Sequence, residues 1–148
     1  MPPSHEKSGL EPKDVELAGG ILNQYCAIEK ELFRFKWKRL IPFAGEHIDF
    51  AQLHDILAED YSRLLELIER RKVLGLKERD NAIFFHYLVA LEAAVCKFLE
   101  ILQKLYLKSD NHEDYSAREY KSDLHEYDKL VSEYSALGQD LNECLTHQ

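Results

Sequence analysis

Phe33-Arg34-Phe35-Lys36-Trp37-Lys38-Arg39 alternates aromatic and basic side chains, in a chain whose formal net charge is −8. Cations of this kind pair with phosphates or carboxylates, and flat rings interleaved with them stack on unpaired bases. The segment is therefore a candidate binding patch, centred on Arg34, Lys36, Trp37, Lys38 and Arg39, for RNA or an acidic protein. Successive residues on a helix point about 100° apart, so Phe33, Phe35 and Trp37 cannot all turn toward one core. One or more must stay partly exposed or be covered by another chain. In an antiparallel four-helix bundle Lys104 and Lys108, at the end of the third helix, would lie at the same end as the patch and join it. The plainer reading makes the aromatics core and the cations complements to a helix C-terminus.

Arg79 and His86 form a second candidate. They enclose Asp80-Asn81-Ala82-Ile83-Phe84-Phe85 at the start of a helical stretch. An arginine so placed can hold a phosphate, while a histidine moves a proton during attack by a ribose hydroxyl. The pair resembles the R-x(4–6)-H motif of the HEPN superfamily, small helical proteins of which many are dimeric ribonucleases. That resemblance implies an RNA substrate and a catalytic role for Arg79 and His86. The same spacing recurs at Arg118 and His125. The plainer reading is a surface arginine beside a half-exposed histidine.

Metal chemistry finds little footing. Diiron bundles use Glu-x-x-His on two helices, with a glutamate from each of the others. Here Ala51 stands three residues before His54, Ile83 before His86 and Ser122 before His125. No histidine is followed four residues on by histidine or glutamate, and between His47 and His54 only Ala51 lies on the shared face. There is no glycine-rich phosphate loop and no G-x-S-x-G. No metal site and no cofactor are expected. Cys26, Cys96 and Cys144 are odd in number and widely spaced, without a C-x-x-C pair. Cys26 and Cys96 lie among apolar neighbours, which favours buried thiols in a reducing cytoplasm.

These side chains sit on a scaffold built around Asn81 to Lys108. Phe84, Leu88, Leu91, Val95, Phe98, Leu102 and Leu105 recur at steps of four and three, marking one stripe of a helix. Ile83, Tyr87, Ala90, Ala94 and Ile101 widen it on one side, Val89, Cys96 and Leu99 on the other. Only His86, Lys97, Glu100, Lys104 and Lys108 form a polar strip. His86, Glu92, Lys97 and Glu100 interrupt the apolar run, against a membrane span.

Three further helices are expected. The first opens at Pro12, carries Ala18, Ile21, Tyr25, Ile28, Leu32 and Phe35, and ends near Arg39. Gly19-Gly20 inside it suggests a kink or a close helix approach. Asp49 and Gln52 begin the second, with Ile48 and Leu53 as a hydrophobic staple. Leu53, Leu57, Tyr61, Leu64 and Ile68 face its core, Arg70, Arg71 and Lys72 complement its dipole, and Gly75 stops it. Ser116 and Glu119 form a capping box for the fourth, with Tyr115 and Tyr120 as its staple. Tyr120, Tyr127 and Tyr134 recur every seven residues there and suit a core edge or a subunit interface.

The expected fold is all-α, an antiparallel up-down-up-down four-helix bundle over residues 12–148, preceded by a short disordered tail at 1–11. The composition, 45% apolar and 31% charged, is that of a soluble domain. Its acidity argues against a surface devoted wholly to nucleic acid or anionic membrane. The expected function is a non-catalytic protein acting through protein contacts and self-association as a homodimer. An RNA-binding or HEPN-like ribonuclease comes second, and a metal-binding bundle third.

Overall fold

The computed structural model describes residues 10–34, 49–109 and 115–146, apart from the side chains of 33, 34 and 109. Four helices make up the described chain, α1 (Pro12–Arg34), α2 (Phe50–Val73), α3 (Arg79–Ser109) and α4 (Ala117–Thr146), with no strand among the described residues. Asp14 meets Arg71, Arg71 meets Asn81, Lys97 meets Asp123 and Tyr25 meets Tyr127, so neighbouring helices run antiparallel. This is the up-down-up-down bundle expected from the sequence.

Local chemistry sets the boundaries. The Asp49 side chain accepts the Gln52 amide at 3.0 Å and caps α2, while Gly75 ends the turn with φ 92°, a region that suits a residue without Cβ. Glu78 accepts the amides of Asp80 and Asn81 at 3.1 and 2.7 Å, starting α3. Ser116 and Glu119 exchange side-chain-to-amide bonds of 3.1 Å each, and the Tyr115 and Tyr120 rings meet at 5.8 Å. The capping box and its staple both form. Ile48, the other half of the α2 staple, lies outside the described residues.

The stripe of α3, Phe84 through Leu105, is buried throughout, as are Ala18, Ile21, Tyr25, Ile28 and Leu32 of α1. By length and composition α3 is the one described helix able to cross a membrane; here its stripe is enclosed by its own chain. Several expectations need correction. On α2 the buried face is Leu57, Asp60, Leu64, Leu67 and Arg71, so Leu53, Tyr61 and Ile68 sit at its edge. Leu10 is buried and Glu11 pairs with Arg71, which takes both out of the expected tail. A Cβ on Gly19 or Gly20 would meet nothing within 4 Å, so no close helix approach explains them. At Gly138 a Cβ would lie 3.2 Å from the Tyr87 ring, and there glycine does admit a close neighbour. Cys96 is exposed and Cys26 half-buried. The expected end of α1 near Arg39 falls outside the described residues.

Candidate functional site

Arg79 and His86 are both exposed on α3. Seven residues apart, they stand on nearly the same face but about 10 Å apart along the axis. Among the described residues no hydrogen bond or ion pair holds either one; His86 only touches the neighbouring Phe85 ring, at 5.7 Å. Proton transfer requires a group fixed within hydrogen-bond reach of its target, and none of the described residues fixes these two. Arg118 and His125 are likewise exposed.

Of the basic-aromatic patch, Arg34 closes α1, while Lys36, Trp37, Lys38 and Arg39 lie outside the described residues. Lys104 and Lys108 do reach the end of the bundle where α1 finishes. Their charges, however, turn to their own chain. Lys104 Nζ is 3.0 Å from Asp123 and 3.1 Å from Glu100, above the Tyr115 ring, and Lys108 donates to the Tyr115 carbonyl at 2.7 Å.

The tyrosine row faces inward. Tyr127 and Tyr134 are 1% and 7% exposed, and Tyr120 is half-buried. Tyr127 donates to Glu29, which leaves its oxygen to accept the Tyr25 hydroxyl. Phe98 stacks on Tyr127 at 5.2 Å, and Tyr134 packs against Tyr25 and Tyr87 at 6.1 and 6.3 Å. Burial raises the pKa of Tyr25, Tyr127 and Tyr134, and takes Tyr87 to about 12. These hydroxyls are neutral donors, and α1, α3 and α4 of the same chain already cover them. No second subunit is needed to bury Tyr127 or Tyr134.

Two ionic clusters went unforeseen. At the end where α1 begins, Arg71 is fully buried. Its Nε donates to Asn81 at 2.7 Å, its Nη1 to Asp14 at 2.9 Å, and the guanidinium lies over Phe84. Arg70 takes the other Asp14 oxygen at 2.8 Å, and Asn81 donates to the carbonyls of Arg71 and Gly75. Burial alone would raise the Asp14 pKa, but the two arginines outweigh it and hold the carboxyl below its usual value. At the other end Asp123 accepts from Lys97, Lys104 and the Tyr115 hydroxyl, and its pKa falls below normal for the same balance of causes.

Asp60 is the exception. Its carboxylate is 1% exposed and receives one bond from Arg63 at 3.2 Å, while Oδ2 has no hydrogen-bond partner among the described residues, and burial drives its pKa up. Both carboxylate clusters are internally satisfied by cations, and among the described residues no group of three or more His, Cys, Asp or Glu could hold a metal.

One surface is different in kind. Leu65, Val73 and Leu74, 41%, 81% and 59% exposed, line an open groove of about 620 Å³ beside Glu11, Glu66, Glu69 and Arg70. Leu76, also exposed, follows it. Sequence reasoning missed this edge because it credited Arg70 to Lys72 to the helix dipole and Leu74 to Leu76 to the stop. Comparison with protein-family profiles, curated proteins and solved structures finds no match to this chain.

Proposed function

We propose that this chain is a non-catalytic bundle protein of the cytoplasm that acts through protein–protein contacts, including a homodimer. The exposed apolar edge at the end of α2 supports this most directly. Leu65, Val73 and Leu74 lie together beside a groove rather than singly, and contiguous apolar surface on a small domain marks an interaction site. The buried polar side chains Asp14, Arg71, Asn81 and Asp123, by contrast, are engaged within the bundle, where they join helices. The free thiols Cys26, Cys96 and Cys144 suit a reducing compartment.

Light scattering across the micromolar range tests this reading. The expected result is a dimer that Val73→Asp with Leu74→Asp converts to monomer, still helical and with a cooperative melt because both side chains are exposed in the single chain. A wild-type monomer at every concentration would remove self-association. The second reading, an RNA-binding or HEPN-like ribonuclease, draws on the shared exposed face of Arg79 and His86. Metal-free RNA cleavage that disappears in His86→Ala would put it first.

A further inference from the structure

The groove at the end of α2 has a rim and a floor of opposite character. Glu11, Glu66 and Glu69 surround Leu65, Val73 and Leu74. The one lining cation, Arg70, turns its guanidinium to Asp14 at 2.8 Å and Glu11 pairs with Arg71 at 3.5 Å, so Glu66 and Glu69 give the rim its net negative charge. An occupant that fits must interleave cations with large apolar side chains. This chain carries such a segment, Arg34-Phe35-Lys36-Trp37-Lys38-Arg39, against an otherwise acidic composition.

Within one molecule the aromatic side chains of the segment cannot reach the far end of the groove. Asp14 lies opposite Arg71, so by helix register Arg34 stands level with the start of α2. From there Leu65 is about 21 Å away along the bundle, Glu69 about 27 Å and Leu74 about 35 Å, at 1.5 Å per residue. The chain from Arg34 to Trp37 covers at most about 11 Å even fully extended. Phe35 and Trp37 therefore cannot lie on Val73 and Leu74 of their own chain.

That separation is what a two-fold dimer requires. If two copies lie side by side and antiparallel, each groove faces the other copy's Arg34 end, and both contacts form at once. The assembly closes on itself without growing into a filament. We propose that the groove lined by Leu65, Val73 and Leu74 receives residues 34–39 of a second copy. Phe35 and Trp37 cover the apolar floor, and Arg34, Lys36, Lys38 and Arg39 meet Glu66 and Glu69. This rests on the self-association reading and names its surface, which differs from the tyrosine row.

A charge-exchange experiment tests the pairing. One full-length variant reverses the rim, Glu66→Lys with Glu69→Lys; the other reverses the segment, Lys36→Glu, Lys38→Glu and Arg39→Glu. Each alone should weaken the dimer by about 10-fold or more, since like charges would face each other at both contacts. An equimolar mixture should restore association, because the heterodimer pairs reversed rim with reversed segment and leaves the second contact as in wild type. Trp37 is the sole tryptophan. Its emission should shift to shorter wavelength as wild-type concentration rises, and should not in the reversed-rim variant. That readout stands even if the segment variant fails to fold.

Four results would overturn the proposal. A wild-type dimer indifferent to rim reversal keeps self-association and discards this surface. Variants that both weaken the dimer yet fail to restore it on mixing discard the pairing. Trp37 emission that responds to oligo(U) but not to protein concentration gives the segment to nucleic acid instead. A wild-type monomer throughout discards both the pairing and the reading beneath it.

Discussion

At the end of the bundle where α1 begins, the side chains of Arg71 and Asp14 are 0% and 3% exposed; at the opposite end Lys97, Lys104 and Asp123 keep 13%, 37% and 12%. Both clusters join helices through carboxylates and cations, but at different depths. Arg71 offers a rigid fork, and Asn81, Asp14 and Glu11 meet its donors while Phe84 faces its plane. Lys97 and Lys104 are point charges shared among Glu100, Asp123 and Glu126, with water close by. The difference teaches that equal-looking ion pairs should respond differently to deletion, pH and salt. A buried pair costs desolvation when whole and much more when halved; an exposed one is screened and replaceable.

The largest effect should come from Arg71→Ala. It leaves the buried Asp14 carboxylate with Arg70 alone and strands the Asn81 oxygen, and should cost about 3–5 kcal/mol in denaturant unfolding. A loss below about 1 kcal/mol would mean that water reaches Asp14 and that the two ends are equivalent.

Asp60 sharpens the contrast, since it is as buried as Asp14 but lacks a full set of partners. Asp60→Leu should raise stability at neutral pH by about 1 kcal/mol, by removing an unsatisfied buried oxygen. A destabilised Asp60→Leu would show that the carboxylate has a partner beyond Arg63.

The two aspartates should also differ in sign as pH falls. The depressed pKa of Asp14 gives stability that is present above the unfolded value near about 3.9 and lost as pH drops through the folded pKa. The raised pKa of Asp60 does the reverse: the folded state takes up its proton first, so stability rises as pH falls through that value. Melts from pH 7 downward should show a gain before the acid loss in wild type and no gain in Asp60→Leu. A gain that persists in the variant would assign it to another group.

The smallest effect should be Lys104→Ala, at most about 1 kcal/mol, and less in 1 M salt where screening is strong. A larger loss that salt leaves unchanged would make this end as deep as the other.

What the sequence disclosed follows from how local each feature is. The stripe from Phe84 to Leu105, the Ser116–Glu119 box, the Asp49 cap and the Gly75 stop each depend on residues within a few positions, and each is found. The Asp14–Arg71–Asn81 cluster joins three helices, and its partners lie 57 and 10 residues apart in the chain. Read locally, Arg70-Arg71-Lys72 is a dipole complement and nothing more. A signal did exist: Leu57, Asp60, Leu64, Leu67 and Arg71 keep helical spacing, so both charged residues occupy core positions. The choice of Leu53, Tyr61 and Ile68 hid it by turning the helix toward its apolar edge. Tyr127 and Tyr134 were open to two readings because a tyrosine fits an interior or an interface equally well, and only the Glu29 and Tyr25 partners decide.

Hydroxyl-radical footprinting of Leu65, Val73 and Leu74 against protein concentration tests the central claim most directly, that the chain meets its partner at the end of α2. Val73 is 81% exposed in the single chain, so its oxidation should be fast in dilute protein. Oxidation at all three should slow together as the dimer forms, while His86 stays reactive throughout. Unchanged oxidation at these three residues in protein that is demonstrably dimeric would contradict it.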